Sequence, residues 1–308
     1  MTAEGWRALL APPGGADPRA ARVVDGFARR RALDPGSPGT GHAHWDARFF
    51  GLQALAPFKC AAPEIQQQVL DACGEGLLWE SWYIEQGGIA LCARMALHAE
   101  DLATRTVYAL IGADEAIHAH WIWAWLARTS PRAPDSFNRF IAALVETGEP
   151  QALCYLLQIV LEGFGIQHYR ILAEGCREPA LAQTLRSMMA DEGLHHAGGL
   201  ALFHPERLSA RARGLVLDAA AQLTQMIRIG PQAVVSNVMR ITGASDPAVL
   251  FEALNCEAAS NTKLGVLRAL FEQPGMQWLT TELERLRLFV PCSSAECAQV
   301  FVSEQARV

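Results

Sequence analysis

Asp114-Glu115-Ala116-Ile117-His118 and Asp191-Glu192-Gly193-Leu194-His195 repeat one pattern, Asp-Glu-x-x-His, and each copy lies inside a long apolar-periodic stretch. On an α-helix a three-residue step turns the side chain by about 300°, so the Glu and His of one copy share a face and can reach the same ion. Two such helices facing each other can hold two ions. The chain has 21 Glu, 11 Asp and 9 His in 308 residues. At that composition roughly 0.6 Glu-x-x-His matches arise by chance, and only about 0.02 preceded by Asp. Two copies are a signal.

Working outward, Pro63-Glu64 opens a helical pattern that runs to about Leu97, and a second pattern runs from about Asp101 to Ala127, with Pro well placed in a first turn. The breaker cluster Ser130-Pro131-Arg132-Ala133-Pro134-Asp135 follows, then a connecting helix from Asp135 to Thr147. After Gly148-Glu149-Pro150 a third long helix ends near Gly175, and Glu178-Pro179 starts a fourth that carries the second motif to about Phe203. Helix, tight turn, helix, long crossover, helix, tight turn, helix is the order of a ferritin-like four-helix bundle, which binds metals between facing helices. The expected fold is all-α: an N-terminal arm over 1–43, rich in Gly and Pro, the bundle over 44–204 beginning with a helix-prone segment from His44 to Pro57, and C-terminal accessory helices over 205–308 packed on the bundle.

A two-ion carboxylate site needs one further Glu from each remaining helix. The third helix offers Glu162, 30 residues before Glu192, and the first offers Glu85, 30 residues before Glu115. Equal intervals give legs of about 20 Å and bring the four Glu to one level. Glu80 is the alternative on the first helix; its face differs from that of Glu85 by about 140°, so one of the two at most points at the ions. Glu162 lies in the apolar run Tyr155 to Ile166, where a lone buried charge would cost several kcal/mol and a metal would supply the missing partner. Asp114 and Asp191 are read as acceptors that hold the ring N–H of the ligand His on the opposite hairpin.

Glu85, Glu115-x-x-His118, Glu162 and Glu192-x-x-His195 resemble the six-ligand signature of the ferritin-like non-haem di-iron oxygenases and oxidases, over about residues 63 to 204. Glu162-Gly163-Phe164-Gly165-Ile166-Gln167-His168-Tyr169 with the second motif resembles the cyanobacterial aldehyde-deformylating oxygenases, and the layout is similar to the arylamine N-oxygenases. Met188 stands where the N-oxygenases carry a third His, and Ile122 where ribonucleotide reductase small subunits carry a radical Tyr. The resemblance implies two Fe, with Mn or mixed Mn/Fe as alternatives, O₂ as co-substrate, a small organic substrate, an external donor such as a ferredoxin or reductase, and a homodimer. It implies hydroxylation, N-oxygenation or oxidative C–C cleavage in specialised metabolism. A ferroxidase or metal-storage bundle is the rival, against which stand the roughly 100 residues after Phe203.

Composition excludes other classes. A net charge of -6 and a single short basic run, Arg29-Arg30-Arg31, argue against a nucleic-acid surface. The eight cysteines form no Cys-x-x-Cys pair, so zinc-ribbon and rubredoxin-type sites are unsupported, and most read as buried small residues. No stretch reaches eighteen uninterrupted apolar residues and the first ten residues do not read as a signal peptide, so the expectation is a soluble, cytoplasmic chain without membrane contact. Trp121, Trp123 and Trp125 read as packing residues, as do His120, His168 and His196. Gly87, Gly88, Gly163 and Gly165, inside helices beside proposed ligands, mark either close packing or room beside the metals.

Overall fold

A computed structural model describes residues 43–126 and 132–305, together with Val23 and Gly26. The arm expected over 1–43 thus lies outside the described residues except for Ala43 and those two positions, as do 127–131 of the crossover. The described residues are mostly helical and contain no strand. Twelve helices follow one another: α1 (Ala56–Lys59), α2 (Pro63–His98), α3 (Leu102–Leu126), α4 (Ser136–Thr147), the composite α5 over 150–175, α6 (Pro179–Leu202), α7 (Ala210–Arg228), α8 (Gln232–Thr242), α9 (Pro247–Ala253), α10 (Cys256–Phe271), α11 (Gln277–Arg285) and α12 (Ser294–Gln305). No helix among the described residues is long and apolar enough to cross a membrane.

Local chemistry sets the helix starts. Asp101 caps α3, accepting from the Thr104 backbone N–H at 2.9 Å and from the Thr104 hydroxyl at 2.7 Å, and Asp135 caps α4 through the Asn138 N–H at 2.8 Å; such caps satisfy donors that the first turn leaves open. Pro179 starts α6, where its missing N–H costs nothing. The segment expected to be helical from His44 to Pro57 is instead mostly turns, with a 3₁₀ turn at Leu52–Ala54 and α1 beginning only at Ala56. Asp46 explains part of this: its Oδ1 accepts from the N–H groups of Arg48 and Phe49, offering the backbone an alternative to helix. Gly51 then enters the left-handed region at φ 71°.

The chain forms two compact units, one containing Leu77–His204 and the other Ala43–Gly76 with 205–305; the division falls inside α2. Residues 44–76, read from the sequence as the start of the bundle, therefore group with the C-terminal helices. That second unit is built on a core of Leu52, Val69, Phe251, Cys256, Cys297 and Phe301. The first unit is what positions the site. Its two hairpins, α2–α3 and α5–α6, each close through a three-residue turn, 99–101 and 176–178. Small residues let the backbones approach: a Cβ on Gly112 would meet Cys92 Cβ at 3.0 Å, and one on Gly199 would meet Gln158 Cγ at 2.9 Å.

α5 carries the one element with no counterpart in the sequence reading. Pro150–Leu153 is α-helical, Cys154–Leu161 is a π-helix, and Glu162–Gly175 is α-helical again. π-turns are rare and cluster at functional sites. Here the wider turn ends at Glu162, one of the predicted ligands, and so sets the direction in which that side chain leaves the helix.

Candidate metal centre

Five of the six predicted ligands, Glu85, Glu115, His118, Glu192 and His195, are at most 5 % exposed, whereas Glu162 is half-buried. They form two groups. Glu85, Glu115, His118 and Glu192 offer ligand atoms within 4.8 Å of one another, and so do Glu115, Glu162, Glu192 and His195. Glu115 and Glu192 belong to both groups; Glu85 and Glu162 belong to one each. Glu80, the alternative on α2, belongs to neither. Such a set of buried carboxylates and imidazoles could hold metal, and its arrangement resembles a di-iron site.

The His rings are oriented from across the bundle. His118 on α3 turns Nδ1 towards Glu85 Oε2 at 3.2 Å and Glu192 Oε1 at 3.7 Å, while its Nε2 lies 3.1 Å from Asp191 Oδ2 on α6. His195 on α6 turns Nδ1 towards Glu115 Oε1 at 3.3 Å, and its Nε2 lies 3.5 Å from Asp114 Oδ2 on α3. Each motif's Asp therefore faces the other motif's His. With the Nε2–H donated to carboxylate, Nδ1 is left as a lone-pair donor aimed into the cluster.

Two atoms test whether a metal fits. His195 Nδ1 and Glu162 Oε2 are buried and lack a hydrogen-bond partner; the 3.3 Å approach of His195 Nδ1 to Glu115 is close in distance but not aligned as a hydrogen bond. Buried polar atoms are rarely left so. A cation among these oxygens and nitrogens satisfies both, and an all-O/N donor set suits a divalent first-row metal.

Electrostatics point the same way. Burial together with the charges of Glu192 and Glu85 holds Glu115 well above the usual carboxylate range, and burial with Glu192 and Glu115 does the same to Glu162. Burial and Glu85 push Glu192 up to about 7. Burial also pushes Glu85 up, but the hydrogen bond and charge of His118, with Glu115 and the Tyr169 hydroxyl, outweigh it and leave Glu85 below its ordinary value. For His118 and His195 burial works downward, yet Asp191 and Glu85 raise the first well above its ordinary value, and Asp114 and Glu192 raise the second. Protons thus hold the charge balance that a metal would otherwise supply.

Several residues around the ligands escaped the sequence reading. The Tyr169 hydroxyl donates to Glu85 Oε1; Tyr169 stands seven residues, two turns, after Glu162, a spacing that puts it on the same face. Gln158, buried in the π-segment, accepts from the Tyr108 hydroxyl at 3.1 Å and donates to the His195 carbonyl at 3.0 Å, tying α5 to α3 and to the ligand turn of α6. Gly88 makes room for a ligand, since a Cβ there would lie 2.6 Å from Glu115 Cδ, whereas Gly87 packs against Ile141. Trp123 packs with Trp79 and Trp82, ring centroids 6.1 Å apart in each pair, and Trp121 lies 5.7 Å from the His118 ring. His120, His168 and His196 are half-buried and belong to neither ligand group. Six of the eight cysteines are buried, Cys60 being exposed and Cys176 half-buried, and none is in a disulfide.

No protein-family model, curated protein or solved structure matches this chain.

Two outcomes follow from this geometry. Raised acids bind protons in the folded state that the unfolded chain has released, so the stability they contribute is complete below their ordinary value of 4.5 and is lost as pH rises through the folded values, about 7 for Glu192. The raised His pair acts in the same direction above 6.5. Metal-free protein should therefore melt at a lower temperature at pH 8 than at pH 5.5, and Zn(II) should raise Tm more at pH 8; calorimetry showing a metal-free Tm that climbs with pH contradicts this. Gly88→Ala should weaken Zn(II) binding about tenfold or more by displacing Glu115, a loss of roughly 1.4 kcal/mol, while the metal-free Tm stays within a few degrees. Unchanged affinity in a calorimetric titration would show that Glu115 is not a ligand.

Proposed function

We propose that the protein is a ferritin-like di-iron oxygenase or oxidase that uses O₂ to oxidise a small organic molecule. The observation that carries this is the pair of ligand groups sharing Glu115 and Glu192. Two carboxylates common to both groups are suited to bridge two ions, with Glu85 and His118 completing one and Glu162 and His195 the other. α2, α3, α5 and α6 supply the four Glu in the order of a four-helix bundle with one long crossover. Bound there, two irons would supply the redox chemistry of O₂ activation, with electrons drawn from an external donor or from the substrate itself.

The protein's own part is to hold and to exclude. Asp191 and Asp114 fix the tautomer of His118 and His195. Tyr169 donates to Glu85 and restrains it, while Glu162 has no such hydrogen bond at Oε2 and is partly exposed. Glu162 is thus the carboxylate freest to change its mode of attachment. Trp121, Ile122 and Met188, buried and one helical turn from ligand residues, would keep bulk water from the reacting atoms.

Anaerobic reconstitution with Fe(II) should load about two irons per chain by colorimetric assay, and admission of air should consume O₂ and change the optical spectrum. Glu115→Ala should load one iron or none. Loading well below two in the unsubstituted protein, or a Glu115→Ala variant with the same loading and spectrum, would overturn the proposal.

A further inference from the structure

Two donors beside the cluster have nothing to bond. Ser81 is wholly buried on α2, one turn before Glu85, and its Oγ lacks a partner; the Trp121 Nε1–H, on a buried side chain one turn after His118, also lacks one. Serine and threonine inside a helix usually donate to the carbonyl four residues back. In this chain Thr106, Thr184 and Ser303 do so, to Leu102, Ala180 and Gln299. Ser81 does not. An unmet buried donor costs about 1–3 kcal/mol, and two at one place require an explanation.

Both lie on the same side of the ligands. α2 and α3 run antiparallel, with Gly88 against Glu115 and Trp82 near Trp123, so Ser81 is level with Trp121 and Ile122. On α5 the same direction leads from Glu162 towards Tyr169, which reaches Glu85. Between them sits Gly165, where a Cβ would find no atom within 4 Å. Met188, wholly buried, is one turn before Glu192 on α6 and faces the same level.

We infer that this level is the substrate subsite, and that it takes an uncharged, largely apolar molecule whose oxygen accepts from Ser81 Oγ and Trp121 Nε1 while its body extends past Gly165. The inference rests on the oxidase reading of the same site. The two unmet groups are neutral donors, which suits a neutral acceptor. The only lysines, Lys59 and Lys263, lie outside Leu77–His204. Among the described residues of that unit, Arg94 donates to the carbonyls of Val145 and Gly148, Arg105, Arg139, Arg170, Arg177 and Arg186 are exposed, and Arg132 is half-buried with its carbonyl accepting from the Tyr83 hydroxyl. Two divalent ions would only balance the four Glu. An anion would then sit beside a carboxylate-rich cluster, and a cation would forgo the two donors.

The test uses Zn(II)-loaded protein, which is redox-inert, and three probes of one shape: acetophenone, ethylbenzene and benzoate, titrated calorimetrically or by ligand-observed NMR. Acetophenone should bind roughly tenfold more tightly than ethylbenzene, the worth of a buried hydrogen bond, and benzoate more weakly than acetophenone. Ser81→Ala and Trp121→Phe should each weaken acetophenone about three- to tenfold, leave ethylbenzene unchanged and leave zinc loading unchanged; Gly165→Leu should abolish binding of acetophenone and ethylbenzene. Equal binding of acetophenone and ethylbenzene, a preference for benzoate, no binding of acetophenone, or variants without effect would overturn the inference. Zinc loading is scored separately: if it fails, the metal reading fails, and the same titrations on metal-free protein still decide the subsite.

Discussion

Four glutamates gathered in two overlapping groups inside a helical unit repel each other, and the side chains that contact them in Leu77–His204 answer that repulsion. Like charges in a space poor in water cannot all ionise without a counterion. The protein meets this with protons on the acids, two imidazoles turned inward, and two further carboxylates behind the imidazoles that favour their charged form. Metal bound among these side chains would replace such protons and couple metal affinity to pH. The cluster is therefore poised to bind cations, and its cost in the metal-free state is a mark of function more than of stability.

Symmetry between the hairpins is the means. Each contributes a Glu 30 residues before a Glu-x-x-His, and each contributes an Asp that reaches across to the other's His at 3.1 or 3.5 Å. The symmetry is broken in two places. Tyr169 binds Glu85, and the π-segment precedes Glu162. One terminal carboxylate is restrained and buried; the other is partly open, beside Gly165. The two unmet donors, Ser81 and Trp121, stand one turn from Glu85 and from His118.

Much of this was legible in the residues. The starts of the four long helices follow from Pro63, Asp101, Pro150 and Pro179, and the structure brings together the six side chains drawn from interval arithmetic, with Glu85 and not Glu80 among them. What escaped has physical reasons. An apolar run such as Cys154–Leu161 has the same hydropathy whether it winds as α or π, so only packing reveals the wider turn. The segment after His44 has helix-forming residues, but Asp46 bonds its own backbone and Gly51 takes a left-handed conformation, local competitions that composition does not weigh. Tyr169 lay in view at a two-turn spacing from Glu162. A partner on a third helix had to be seen before that spacing meant anything.

Two ions sharing Glu115 and Glu192 is the arrangement proposed for the cluster. X-ray diffraction from iron-loaded crystals, with anomalous differences collected at the iron edge, tests it most directly. Two anomalous peaks are expected about 3.5–4 Å apart, both within bonding distance of Glu115 and Glu192, one beside Glu85 and His118 and the other beside Glu162 and His195. A single peak, or peaks away from these six side chains, would contradict it.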